Sequence, residues 1–338
     1  MRAYELDLTK RGPQAVTRVE RPMPKPGPGE VLMQLRAWSL NYRDLLIVNG
    51  LYPVATGATG LIPVCDGAGD VIDVGEGVTR LRKGDRVVTS FFQGWVDGPL
   101  TYPAMGTALG GAIDGVLAEY RALSEHGLVK FPDSLTYEAA ATLPCAGVTA
   151  WHALTESGKL RSGQTVLVLG TGGVSIFGLQ ISKARGGRVI VTSSSDEKLA
   201  RAKSLGADAL INYKTTLQWA DAVLEHTGGA GADHVLETGG VGTFAQSSQA
   251  LAIHGQINII GVLTGLQGNV DFGPVLVKTA RVQGIYVGSR AMLDRLVQEV
   301  VSRRIEPVID KVFPFDQAVQ AYECLAAARH FGKVVIRA

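Results

Sequence analysis

The chain has 338 residues, enough for two domains at roughly 150 residues each. Its 46% hydrophobic and 19% charged residues exclude a disordered chain, and a formal charge of +2 (33 Lys+Arg against 31 Asp+Glu) excludes binding that works by neutralising nucleic-acid phosphates. Three widely spaced cysteines, Cys65, Cys145 and Cys324, exclude a disulfide framework, while the 42 glycines exceed the usual share of roughly 7%.

The opening MRAYELDLTKRG has no apolar segment of signal-peptide type. No run approaches the roughly 18 apolar residues of a membrane span. Cytoplasmic residence without a membrane partner is therefore expected. Up to about residue 125 the chain reads as β-rich and irregular. EVLMQLRAWSLN (30–41) and GAGDVIDVGEGVTRLRKGDRVV (67–88) supply strands joined by Gly/Asp turns. The stretch 91–113 reads as a long loop carrying Phe91, Phe92, Trp95, Tyr102 and Met105. It would either line an apolar pocket or pack on its own domain. An Ala-rich stretch (136–158) reads as helix in two pieces, interrupted at Pro144. From 165 onward short apolar strands alternate with helices: TVLVLG, RVIVTS, ALINY, ADHVLETGG and QINIIGVL (256–263), the last preceded by a helix over 243–255. That alternation predicts a parallel sheet covered on both faces, a doubly wound α/β domain. A helix (289–304), a strand near IDKVFPF, another helix and the strand KVVIRA close the chain.

The first of the alternating strands runs straight into Gly170-Thr171-Gly172-Gly173-Val174-Ser175 and then a helix. A dinucleotide site requires this context: one glycine for the tight turn, one for close approach of the pyrophosphate, and a helix N-terminus offering N–H groups to it. Ser175 replaces the third glycine of the strict pattern. The next strand ends in Thr192-Ser193-Ser194-Ser195, where an NAD site usually carries Asp or Glu to accept from the ribose. Ser193, Ser194, Ser195 and Lys198, with Arg201 and Tyr213 in reach, suit a 2′-phosphate instead. NADP(H) is the preferred cofactor and NAD(H) remains possible. Ser194 or Ser195 is also a good helix cap.

The motifs GEGVTRLRKGDRV (75–87), LPCAGVTAWHAL (143–154), VLVLGTGGVS (166–175) and AKSLGAD (202–208) occur in this order. In them the chain resembles the medium-chain dehydrogenase/reductase superfamily, its quinone-oxidoreductase-like and zinc-type alcohol-dehydrogenase-like branch. The resemblance implies a GroES-like catalytic domain from residues 1–130 and 288–338. It implies a Rossmann NAD(P)-binding domain over 131–287 and an active site in the cleft between them. It puts the Thr149 hydroxyl beside the nicotinamide and backbone at Gly261, Val262 and Leu263 against the carboxamide. Further cofactor contacts fall at Gly239-Gly240, Ser289-Arg290 and Gly332-Lys333. The strand 283–288 resembles one that pairs across a homodimer.

Zinc-dependent relatives take catalytic ligands from three places, which here hold Asn41, Cys65 (followed by Asp66) and Cys145. A neutral amide is a poor zinc ligand and the set has no imidazole, so no metal is expected. The region matching the structural-zinc lobe has no cysteine. Without a Lewis acid the substrate must be polarised by hydrogen bonds. Asn41 is the candidate oxyanion donor and Tyr52 the candidate general acid, with Asp44 orienting Asn41 or pairing with Arg43. His152 reads as a packed helix residue. The expected function is an NADP(H)-dependent oxidoreductase passing a hydride between the nicotinamide and a small apolar carbonyl, quinone or activated alkene. An alcohol dehydrogenase with a degenerate zinc site, and an NADPH-binding protein without turnover, are the alternatives.

Overall fold

A computed structural model describes residues 1–54 and 60–338, in two compact units. The first comprises Met1–Val148 with Val287–Ala338, the second Thr149–Tyr286. The sequence reading drew the boundary at 131. The helix Tyr137–Ala141 instead packs on the strands Glu30–Leu40 and Asp66–Val74, which keeps 131–148 with the first unit.

The first unit is built on a seven-stranded sheet. Its order runs Ile309–Pro314, Lys333–Arg337, Glu30–Leu40, Asp66–Val74, Arg86–Thr89, Leu128–Lys130, with Tyr120–Ser124 also paired to Glu30–Leu40. The long central strand is buried along most of its length, with Met33, Leu35, Trp38 and Leu40 in the core. Register brings distant sequence together at its end. Leu40 lies opposite Val334 on one side, and Ser39 lies opposite Asp66 on the other. The chain then turns at Asn41 into the helix Tyr42–Val48. In the stretch 91–113, Phe91, Phe92 and Trp95 are buried, with ring centroids 4.6 Å and 5.8 Å apart along the series. These three aromatics pack within their own unit, while Tyr102 and Met105, on a short Thr101-capped helix, are exposed. The helix Arg290–Ser302 lays Leu293, Leu296, Val297 and Val300 into the core.

The second unit is a six-stranded parallel sheet in the order Ala209–Asn212, Arg188–Ser193, Thr165–Leu169, Ala232–Glu237, Leu251–Ile259, Arg281–Gly284. This is the doubly wound order 3-2-1-4-5-6, and it reverses between Thr165–Leu169 and Ala232–Glu237. The strands Thr165–Leu169, Arg188–Ser193 and Ala232–Glu237 are almost wholly buried because helices cover both faces. One element differs from the expectation. The helix stops at Gln249 and the strand already begins at Leu251. Ala250 turns the chain there, its N–H donating to Gln246 and its carbonyl accepting from Ala232. The edge strand Arg281–Gly284 pairs on one side only, with Leu251–Ile259, and is exposed along its length. Among the described residues no helix is long and apolar enough to cross a membrane.

Candidate active site and cofactor crevice

The second unit carries a crevice at its switch point. In open α/β sheets ligands bind where the strand order reverses, outside the carboxyl ends of the strands. Gly170 follows the strand Thr165–Leu169 with φ +75°, a conformation that favours glycine. Gly172 precedes the helix Gly173–Ala184 with φ −76°, which any residue can adopt. A Cβ added at Gly172 would meet no protein atom within 4 Å. Neither backbone strain nor packing within the chain asks for glycine there. An outside group approaching the backbone does, and the helix N-terminus behind it is a ready anion site. Gly170, Gly172, Gly173 and Val174 therefore fit a dinucleotide pyrophosphate.

The replacement at Ser175 has a local explanation. Its hydroxyl donates to the Leu169 carbonyl at 2.7 Å, tying helix to strand. Close helix–sheet packing, the usual task of the third glycine, falls to Gly178, where a Cβ would lie 2.2 Å from Leu236. The sequence reading missed Gly178; a lone glycine inside a helix that follows the loop is the signal that would have found it.

On the other side of the crevice Ser193 ends its strand, buried, and its hydroxyl accepts the Ser195 N–H at 3.3 Å. Ser195 caps the helix Asp196–Ser204 by accepting the Lys198 N–H. Ser194 and Lys198 are half-buried and Tyr213 is exposed. The nearest carboxylate, Asp196, accepts from the Asn212 side chain at 2.7 Å. Across the switch point Gly239, Gly240 and Gly261 differ from Gly172. A Cβ at Gly261 would lie 2.0 Å from the Thr238 carbonyl, and one at Gly239 would lie 2.2 Å from Thr243. These glycines serve the packing of the chain itself. Leu263, beside half-buried Val262, is exposed; Thr149 is buried at the start of this unit.

Four residues expected at the cofactor, Ser289, Arg290, Gly332 and Lys333, lie in the first unit with tasks of their own. Ser289 caps the helix Arg290–Ser302 and is buried, and the Arg290 N–H donates to the Trp95 carbonyl. Gly332 has φ +80°, with Val308 packed against it. Lys333 is 3% exposed, and its Nζ donates to the Leu40 carbonyl at 2.6 Å and to Asn41 Oδ1 at 2.5 Å, with Asp66 Oδ2 at 3.9 Å. The ammonium is held inside the first unit by these groups.

Lys333 belongs to a buried cluster with the predicted catalytic residues. Asn41 Nδ2 donates to Asp66 Oδ2 at 2.8 Å and lies 3.8 Å from Cys65 Sγ. The Cys65 thiol donates to Asp66 Oδ1 at 3.0 Å. Both ends of the Asn41 amide, the candidate oxyanion donor, are thus engaged by protein groups. Asp44 accepts the Asn41 backbone N–H at 2.8 Å, closing the first turn of the helix Tyr42–Val48. It orients Asn41 through the main chain. Arg43 donates to the Leu109 carbonyl at 2.8 Å and stacks over the rings of Tyr52 (4.9 Å) and Phe91 (4.6 Å). Gly111 leaves the space for it, since a Cβ there would lie 2.3 Å from the guanidinium. Burial pushes the Asp44 carboxyl up to about 6, against the pull of Arg43. Burial raises Asp66 as well, partly offset by Lys333, and pushes the Cys65 thiol well up.

Cys65, Asp66 and Cys145 bring their donor atoms within 4.8 Å of one another, the one such cluster among the described residues. The donors are hydrogen-bonded among themselves and to neighbouring groups. Zinc binds thiolates, yet the Cys65 proton is committed to Asp66. The Asn41 N–H points at the same carboxylate, and a fixed ammonium stands 3.9 Å from it. Charge and hydrogen bonding in the cluster are organised around Lys333.

Comparison with known proteins agrees with this architecture. Residues 27–133 match the family model for the alcohol dehydrogenase GroES-like domain, and residues 173–302 match that for the zinc-binding dehydrogenase. A zinc-type alcohol dehydrogenase-like protein of Schizosaccharomyces pombe is 48% identical over 93% of this chain and 92% of its own length. A quinone oxidoreductase of Pseudomonas aeruginosa is 32% identical over 96% of both chains. A crystal structure of an NAD-dependent alcohol dehydrogenase superposes with a TM-score of 0.90 at 33% identity, covering all of both chains. A GroES-like unit joined to a Rossmann unit with a nicotinamide-nucleotide crevice defines an NAD(P)-dependent oxidoreductase. This chain belongs to the medium-chain dehydrogenase/reductase superfamily, among its alcohol-dehydrogenase and quinone-oxidoreductase-like members.

Proposed function

We propose that the protein is an NADP(H)-preferring reductase that works without catalytic zinc on small apolar carbonyls, quinones or activated alkenes. The metal-free reading rests on one observation: the Lys333 ammonium is bonded to Asn41 and stands beside Asp66, in the cluster that would have to hold the ion. The quinone oxidoreductase among the relatives supports the substrate class. The NADP(H) preference rests on Ser193 at the strand end, on the engagement of Asp196 by Asn212, and on Lys198 in the first helical turn.

When bound, the reduced nicotinamide supplies a hydride. Residues of this chain hold the dinucleotide: Gly170, Gly172, Gly173 and Val174 at the pyrophosphate, Ser193, Ser194, Ser195, Lys198 and Tyr213 at the adenosine phosphate. Thr149, Gly261, Val262 and Leu263 flank the nicotinamide half. Tyr52 is the proton donor. The Arg43 guanidinium stacks on its ring and holds it in place. Asn41 and Asp44 hold the backbone that carries Arg43. The exposed edge strand Arg281–Gly284, with Leu276, Val277 and Tyr286 exposed near it in sequence, suits a homodimer that continues the sheet. Light scattering of the purified protein tests that pairing.

The experiment is a screen of NADPH and NADH oxidation against quinones, enones, aldehydes and ketones, with metal content measured on the same sample. The reading expects NADPH-linked turnover unchanged by a chelator and less than stoichiometric zinc. Stoichiometric zinc, with activity lost on its removal, would show that Cys65, Asp66 and Cys145 form a degenerate zinc site instead.

A further inference from the structure

At the carboxyl end of the strand Ala232–Glu237 one carboxylate gathers the surrounding chain. Glu237 is 1% exposed. Its Oε1 accepts the N–H groups of Gly239 at 2.8 Å and Gly240 at 3.0 Å and the Thr243 hydroxyl at 2.6 Å. Its Oε2 accepts the Ser247 hydroxyl. Its backbone carbonyl accepts the N–H groups of Ile260 and Gly261 at 2.9 Å and 3.0 Å. Thr264 closes the turn from the other side, bonding the Gly239 carbonyl through both its N–H (2.7 Å) and its hydroxyl (3.0 Å).

Side-chain hydrogen bonds to a buried carboxylate are strong because the acceptor is charged. This one is met by neutral donors of the segment 239–247, while the same residue's backbone carbonyl holds the N–H groups of 260–261. The two glycine N–H groups just ahead of the helix Val241–Gln249 would otherwise be free to meet an anion. They are turned inward instead. The crevice therefore has two unlike walls. At Gly172 the backbone is open to an incoming group, and at Gly239–Gly240 it is already satisfied by Glu237.

We infer that Glu237 is a positioning residue. It fixes the wall of the crevice opposite the Gly170–Gly172 cradle and so sets affinity for the nicotinamide half of the cofactor, leaving the adenosine half to the cradle and to Ser193–Lys198. The inference rests on the proposed reading that the crevice binds NADPH. Glu237→Gln keeps size but replaces one acceptor oxygen by an amide that cannot accept from its donors.

The test compares equilibrium binding of NADPH with that of 2′,5′-ADP, which lacks the nicotinamide half, in wild type and Glu237→Gln. The expected result is at least five-fold weaker NADPH binding with 2′,5′-ADP affinity held within two-fold. Ser247→Ala, which removes one partner of the carboxylate, should shift NADPH binding in the same direction by a smaller factor and serves if Glu237→Gln does not fold. Unchanged NADPH affinity in the variants, or equal losses for both ligands, overturns the assignment of Glu237. A wild-type protein that binds neither ligand overturns the NADPH reading itself, and this inference with it.

Discussion

Lys333 and Asn41 lie 292 residues apart in sequence and 2.5 Å apart in the fold, ammonium to amide oxygen. Sheet register makes this contact: Val334 pairs with Leu40, so the residues flanking that pair, Lys333 and Asn41, face each other. Asp66 joins them from the opposite neighbour strand, where it pairs with Ser39. Replacing Lys333 by Met would leave the Asp66 carboxylate buried without its cation and two oxygens without their donor. Breaking a buried charge pair from one side costs about 3–5 kcal/mol. Chemical denaturation of Lys333→Met should show a loss of that size in the first unit. A near-neutral result would mean that Asp66 is held protonated and needs no cation.

Two buried groups give the units opposite responses to acid. Burial raises the Asp44 carboxyl to about 6, above the roughly 3.9 of an unfolded chain. A raised carboxyl binds its proton more tightly in the folded state. Its contribution is therefore fully present at low pH and lost as pH rises through about 6. Burial lowers His234, in the second unit, to about 4 from a usual 6.5. Neutral His234 favours the fold at pH 7, and that contribution is lost as pH falls through about 4. Relative to wild type, Asp44→Asn should gain about 2–3 kcal/mol between pH 4 and 7.5, and His234→Gln should lose less than wild type on acidification. Denaturant melts at several pH values read both slopes. Parallel curves for wild type and a variant would remove that residue from the account.

Gly172→Ala separates packing from ligand binding. No protein atom lies within 4 Å of the added carbon, and the backbone angles suit any residue. The melting temperature should hardly move, while NADPH affinity falls about ten-fold or more as the methyl blocks the pyrophosphate. Gly261→Ala should do the reverse and damage the fold first, because its Cβ would collide with the Thr238 carbonyl. Retained NADPH affinity in Gly172→Ala would place the cofactor elsewhere.

Much of this was legible in local sequence. The Gly170–Gly173 loop sits between a short apolar strand and a helix, and both its fold and its open face follow from that context. Four of the six parallel strands announced themselves as short runs between helices; the edge strand Arg281–Gly284 was read at 283–288, and Leu251–Ile259 was read only from residue 256. There the alternation after Ala250 was masked by a helix-like Ala-rich lead, and His254 takes a positive φ of 61°. What sequence could not show was register. Lys333 resembled a cofactor contact because its neighbours match a family motif. Its actual partners are fixed by pairing between strands from opposite ends of the chain. The same limit hid Glu237, whose donors come from a turn and a helix beyond it. The partners of the Asn41 amide, Asp66 and Lys333, come from neighbouring strands in the same way.

Lys198 is the residue on which the proposed NADP(H) preference is tested. It stands in the first turn of the helix capped by Ser195, next to a strand end with no acidic residue. Lys198→Ala should raise KM for NADPH much more than KM for NADH. Equal changes for the two cofactors would remove the 2′-phosphate argument.

The central claim, NADPH-linked hydride transfer without a metal, is tested most directly with NADPH carrying deuterium on the transferred position and an enone or ketone as acceptor. The protein is first treated with a strong chelator and shown to hold no stoichiometric zinc. The account predicts deuterium on carbon in the reduced product, a slower rate with the labelled cofactor, and the same turnover before and after chelation. Turnover that disappears on chelation and returns with one equivalent of zinc would contradict it.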